Sequence, residues 1–160
     1  MKKVIVTGGN GFIGSNLINF LLNKKFFVIN IDKNKYSNGS YLLKNKKNKK
    51  YRFYKLDINS KKLFKILSKY KPDAIFNLAA ETHVDRSIEK PKDFIDANIL
   101  GTFNILEQLR KYKKKYKKKL RLIHISTDEV YGDLKKNERS SEFSSYKPSS
   151  PYSASKASAD

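Results

Sequence analysis

The sequence of 160 residues contains no cysteine, which excludes disulfide frameworks and thiolate metal sites. Its two histidines, His83 and His124, are too few for a histidine-rich zinc site, and no metal is expected. No apolar run approaches the ~18 residues that crossing a bilayer requires, so no membrane partner is expected. The opening "MKKVIVTGGNGFIG" has the basic start of a signal peptide, but its apolar stretch is only "VIV" before glycines intervene. It reads as a mature N-terminus of a cytoplasmic protein. Arginine is scarce as well, with 5 against 30 lysines and 14 asparagines.

That scarcity decides how the net charge of +20 is read. A strongly basic chain invites nucleic acid as a partner. Here "KNKKNKK" (44–50) and "KYKKKYKKK" (111–119) together hold 12 lysines. Bidentate phosphate and guanine contacts are made by arginine. The excess is therefore read as solvated surface and a general Lys/Asn bias, and no nucleic acid partner is expected.

What is present is an alternation of short apolar runs with helical patterns. "KVIVTG" (2–8), "FFVINID" (26–32), "YRFYKLDI" (51–58), "DAIFNLAA" (73–80) and "LRLIHIS" (120–126) read as strands. "FIGSNLINFLL" and "SKKLFKILSKY" have helical spacing, and a long helix is predicted from Pro91 to about Tyr112. Apolar strands alternating with helices predict an α/β fold, a Rossmann-type doubly wound parallel sheet. Such sheets bind ligands at the carboxyl ends of their strands.

"TGGNGFIG" reads as Gly9-x-Gly11-x-x-Gly14 or as Gly8-x-x-Gly11-x-x-Gly14, a loop between the first strand and the first helix. Absent side chains let backbone N–H groups approach a pyrophosphate there. Asp32, 18 residues after Gly14, ends the second strand where the ribose hydroxyls of NAD are expected. A carboxylate would repel the 2′-phosphate of NADP, so NAD is the expected cofactor, although Lys33 and Lys35 are cations that could accommodate that phosphate. Asp57, ending the third strand, either reaches the adenine edge or merely caps its strand.

Two further groups carry chemistry. "HISTDEVYG" (124–132) puts Thr127, Asp128 and Glu129 at the end of the fifth strand. Alone they could be a turn that caps it. Beside a nicotinamide site they read as an acid and a base in different environments. Tyr152 and Lys156, four apart in "PYSASKASAD", share one face of a helix, so that the ammonium can lower the phenol's pKa.

"TGGNGFIGSNL", "NLAAETHVDRSI", "HISTDEVYGDL" and "SPYSASKASAD" resemble the extended short-chain dehydrogenase/reductases, and within them the dTDP-glucose 4,6-dehydratases. The resemblance covers the whole chain. It implies that Tyr152, aided by Lys156 and the nicotinamide charge, takes the sugar's C4 hydroxyl proton while hydride leaves to NAD. Glu129 then removes the C5 proton, Asp128 protonates the departing C6 hydroxyl, and hydride returns to C6. It also implies that Thr127 binds the C4 oxygen, that Thr82 touches the sugar, and that Lys156 holds the nicotinamide ribose. Phe12, Ile13, Lys33, Ile58, Leu78, Ala79 and Ala80 join the cofactor contacts on the same basis. Ala97 replaces a threonine common in the family, which removes one such contact. Asp85 and Arg86 read as an ion pair bracing the site or as partner contacts.

Members of this family run to more than twice this length. Residues 1–160 are thus expected to be an incomplete NAD-binding Rossmann domain, without the C-terminal substrate domain and inactive alone. The full-length form is expected to be a homodimer acting on a nucleotide-sugar substrate. The alternatives are a non-catalytic NAD-binding module, or a UDP-glucose 4,6-dehydratase or sugar epimerase of the same superfamily.

Overall fold

The β-branched runs become five strands in the computed structural model, which describes residues 2–35, 42–44 and 46–160. They are β1 (Lys3–Thr7), β2 (Phe27–Asp32), β3 (Tyr51–Lys55), β4 (Ala74–Asn77) and β5 (Arg121–His124). All pair in parallel, in the order β3-β2-β1-β4-β5, with Ile5 opposite Ile29 on one side and Ile75 on the other. The chain winds from β1 to one edge and then returns to the other side. That reversal beside β1 is the switch point at which open α/β sheets bind ligands.

The helices are α1 (Phe12–Asn23), α2 (Leu63–Tyr70), α3 (Val84–Glu89), α4 (Pro91–Phe94), α5 (Gly101–Tyr116) and α6 (Pro151–Ala159). A π-helical segment, Ile95–Leu100, joins α4 to α5, and a 3₁₀ turn spans Asp128–Tyr131. Among the described residues no helix is long and apolar enough to cross a membrane.

Two compact units result, one of Met1–Ala79 with Asn104–Ile125, the other of Ala80–Phe103 with Ser126–Asp160. The first contains the whole sheet. On one face Ile5, Ile29, Ile31 and Ile75 pack with Leu63, Leu67, Ile105 and Tyr112. On the other, Val4, Val6 and Val28 pack with Ile18, Leu21 and Leu22 of α1. Each fully buried Ile or Val contributes roughly 1.5–3 kcal/mol relative to exposure, which is why these strands read as nearly continuous apolar runs. In the second unit, α6 begins with a capping box: the Ser150 hydroxyl accepts from Ser153 N, the Ser153 hydroxyl from Ser150 N, and Pro151 occupies the first turn.

The strands are shorter than the sequence reading, β4 ending at Asn77 and β5 at His124, and two differences have a local cause. β3 stops at Lys55, because the Asp57 carboxylate accepts from Asn59 N at 2.8 Å and closes a turn instead of extending the strand. The long helix runs from Pro91 to Tyr116, but its pitch widens at Ile95–Leu100. Such segments gather at functional sites.

Candidate active site

The first unit builds a cradle around Gly8. Its φ of +67° is left-handed, and a Cβ there would stand 2.7 Å from Ala79 N, in the backbone that follows β4. A Cβ on Gly14 would collide with the Gly8 carbonyl oxygen and lie 2.7 Å from Gly9 Cα. Gly11 caps α1 without any side-chain hydrogen bond, and no acidic residue occupies the first turn. The first turn of α1 thus carries no carboxylate of its own, which suits a pyrophosphate. Phe12 and Ile13 are exposed in that turn. Changing Gly14 to Ala is expected to cost about 1–3 kcal/mol, since backbone must move. Thermal unfolding followed by circular dichroism checks this, and an unchanged midpoint would show the loop to be more yielding than its contacts indicate.

Asp32, at the end of β2, accepts from Asn10 N at 2.9 Å and Asn34 N at 2.6 Å. Lys33 follows it directly. Leu78 and Ala79 continue from β4, with Ala79 N donating to Thr7 Oγ1 at 3.2 Å. Ile58 is buried in the core under α2, and its carbonyl accepts from Asn104 Nδ2. Its side chain is therefore a packing element. His124 bonds Asn77, which in turn accepts from Thr7 at 2.6 Å, a network stitching β5, β4 and β1.

The second unit holds Ala80, Thr82, Thr127, Asp128, Glu129, Tyr152 and Lys156. Thr127 is extended and caps the 3₁₀ turn, accepting from Glu129 N at 3.3 Å. Gly132 closes the turn at φ +81°, where a Cβ would strike the Lys147 carbonyl. Lys147 N donates to Val130 O, so the returning loop pins the turn. The Tyr152 ring is 7% exposed and meets Phe94 edge-on at 6.2 Å. The Thr127 hydroxyl is the neighbouring group that favours the ionised phenol of Tyr152. Thr82, Asp128 and Glu129 are exposed.

Burial comes first in raising the Tyr152 pKa, and the Glu129 and Asp128 charges add to it, against the lowering effect of the Thr127 hydroxyl. The expected depression by Lys156 is not what the chain alone displays: carboxylates, not the ammonium, dominate the charges felt by the phenol. Lys156, 4% exposed, is itself held below its ordinary value by burial, opposed by the nearby Asp160.

Three features escaped the sequence reading. Asn98, in the π segment, accepts from Glu81 N and donates to Glu81 O and Ser155 Oγ, all within 3.0 Å, tying the segment after β4 to α6. An amide on an otherwise apolar helix face was the available signal. Asp160 accepts from Ser126 at 2.5 Å and Tyr146 at 3.2 Å, joining three distant stretches. The Arg86 guanidinium lies 3.5 Å from Glu81, which replaces the Asp85 ion pair, one of the two readings of this pair. Adjacent residues on a helix do not face each other.

A parallel sheet with a glycine cradle at its switch point, in a chain that also carries a Tyr-x-x-x-Lys helix, defines the dinucleotide-binding short-chain dehydrogenase/reductase class. The chain belongs to the GDP-mannose 4,6 dehydratase family, whose sequence profile it matches over residues 5–160. It is 50% identical to a dTDP-glucose 4,6-dehydratase of Haemophilus influenzae, over 98% of this chain and 49% of that protein. A crystal structure of dTDP-glucose 4,6-dehydratase from Bacillus anthracis in complex with NAD superposes with a TM-score of 0.84 at 37% identity, over 99% of this chain and 48% of that one. The enzyme of the same name from Streptomyces venezuelae, with NAD and TYD bound, gives 0.86 at 35% identity, over 98% and 49%. The chain thus spans about half the length of the relatives it matches.

Proposed function

We propose that this chain supplies the cofactor-binding and acid–base part of an NAD-dependent nucleotide-sugar 4,6-dehydratase, with dTDP-glucose as the substrate. The observation that carries the reading is the polar turn Thr127-Asp128-Glu129, whose hydroxyl and two carboxylates act on the ionisation of the buried Tyr152. The glycine cradle and Asp32 fit a dinucleotide, with Gly8, Gly11 and Gly14 taking the pyrophosphate and Asp32 the adenine-side ribose. When bound there, NAD would supply reversible hydride chemistry, from C4 of the sugar and back to C6, with none consumed over a turnover.

The chain's own residues move the protons. Tyr152 removes the C4 hydroxyl proton, with Lys156 on the same helix face supporting the phenolate. Thr127 steadies the C4 oxygen. The C4 ketone acidifies C5, from which Glu129 takes a proton while Asp128 gives one to the departing C6 hydroxyl. Water leaves, C5 regains a solvent-exchanged proton from Glu129 as C6 receives its hydride, and the product is the 4-keto-6-deoxy sugar. A 4-epimerase of the same superfamily needs no base at C5 and would have no use for two carboxylates in that turn. In the second unit Ile88, Ile95, Leu100 and Phe103 remain exposed apolar side chains, which supports a homodimer for the longer form.

The test extends the chain to the length of its relatives and offers dTDP-glucose in deuterated water. The expected product is a 4-keto-6-deoxy sugar carrying deuterium at C5. Recovery of the 4-epimer without C5 exchange would replace this reading with the epimerase one.

A further inference from the structure

The second residue after Gly8, Asn10, sits in the glycine loop with its side chain 5% exposed. Its Nδ2 donates to Asn34 Oδ1 at 2.9 Å, and its Oδ1 accepts from Asn30 Nδ2 at 2.9 Å. Asn30 is fully buried and also donates to the Tyr51 hydroxyl at 2.9 Å. Its other amide atom lies against Gly9, where any Cβ would collide with it. Meanwhile the backbone N–H of Asn10 holds one oxygen of Asp32, and that of Asn34 holds the other. A closed ring results: Asp32 to Asn10, Asn10 to Asn34, and Asn34 back to Asp32. Asn34 sits at φ +59°, a conformation that asparagine tolerates better than most residues.

We propose that Asn10 is a positioning residue that, through Asn34, fixes the Asp32 carboxylate for a ribose diol and so sets the preference for NAD over NADP. The inference rests on the dinucleotide reading given above. A carboxylate offers about four lone-pair positions. Two are filled by the N–H groups of Asn10 and Asn34, one on each oxygen. One position per oxygen remains, which matches the two donors of a 2′,3′-diol. A 2′-phosphate offers no donor there at neutral pH and brings like charge against Asp32. Lys33 and Lys35 flank Asp32 in sequence, so discrimination requires that the carboxylate not swing aside and leave ammonium groups to greet the phosphate. The asparagine ring, anchored by Asn30 and Tyr51, prevents that swing.

The chain has no tryptophan, so calorimetric titration with NAD and with NADP is the direct measurement. The variants are Asn10→Ala, Asn34→Gly, Asp32→Ala and the Asn10→Ala/Asp32→Ala pair. Each single asparagine change removes the Asn10–Asn34 side-chain bond while both backbone N–H donors to Asp32 remain, and is expected to lower the NAD/NADP affinity ratio roughly two- to tenfold, about the net worth of one neutral hydrogen bond. In the Asp32→Ala background Asn10→Ala should leave the ratio unchanged, because Asn10 acts through Asp32. Asn34 is exposed and its positive φ suits glycine, so that variant carries the test even if Asn10→Ala unfolds. An unchanged ratio in Asn34→Gly, or an equal weakening for both nucleotides, overturns the inference while leaving dinucleotide binding intact. A wild-type chain that binds neither nucleotide overturns the inference and the reading beneath it together.

Discussion

Exchange of Glu129 for Gln, in the chain extended to the length of its relatives, is expected to slow keto-sugar formation roughly 10²–10⁴-fold, the usual weight of a positioned general base. Oxidation at C4 should continue. Glu129 is exposed, and its backbone makes the local bonds, with N donating to Thr127 Oγ1 and O accepting from Gly132 N. Gln preserves shape and these bonds, so the loss is confined to the carboxylate. A single turnover in deuterated water reads both steps: nicotinamide absorbance should rise and persist, while C5 picks up no deuterium. The substitution has a second consequence of opposite sign. The Glu129 charge helps to raise the Tyr152 pKa, so its removal lets the phenol ionise at lower pH. The rising limb of the C4 oxidation rate should then shift toward acid. Wild-type exchange at C5 in the Gln variant would remove Glu129 from the role of base.

Most of this site was legible because its chemistry is local in sequence. Gly8 and Gly14 stand out since the backbone leaves no room for a Cβ at either, and that intolerance is visible in the sequence as glycine, whereas a Cβ on Gly11 would meet only the Gly8 carbonyl oxygen at 3.2 Å. Asp32 follows from its position at the end of β2, and the strands themselves from runs of residues buried on both faces. The π segment was hidden, because the spacing of Phe94, Asn98 and Ile105 suits an ordinary helix as well. Asn98 and Asp160 were hidden for a different reason. Their partners, Glu81 and Ser155 for one and Ser126 and Tyr146 for the other, lie far away along the chain. Pattern reading finds residues three or four apart and is blind to pairs joined only by folding. The same limit explains Tyr152. The four-residue spacing to Lys156 was plain, but the opposing carboxylates come from the 3₁₀ turn, and burial outweighs both.

Lys156 is the position where activity and stability are expected to part. Its side chain is nearly sealed from solvent, and burial lowers its pKa despite the attraction of Asp160. The folded chain therefore binds the Lys156 proton less tightly than the unfolded chain. Below both pKa values each state carries the charge, and the full cost of burying an ammonium weighs on folding. As pH rises through the folded and toward the unfolded value, the unfolded state holds more protons, and stability increases. Lys156→Met fills similar space without the charge, as replacements of buried ionic groups by apolar ones are often neutral or stabilising by about 1–4 kcal/mol. Asp160 keeps its hydrogen bonds from Ser126 and Tyr146 after the change. The variant should melt higher at neutral pH, by about 2–4 °C for each kcal/mol gained, and the advantage should shrink under alkaline conditions. In the extended enzyme the same change should lower turnover roughly 10²–10³-fold, the scale on which a preorganised charge supports a developing oxyanion. Melting curves at neutral and alkaline pH, set beside the rate with dTDP-glucose, measure both arms. A lower midpoint for Lys156→Met at neutral pH would mean that the attraction to Asp160 outweighs the burial of the charge.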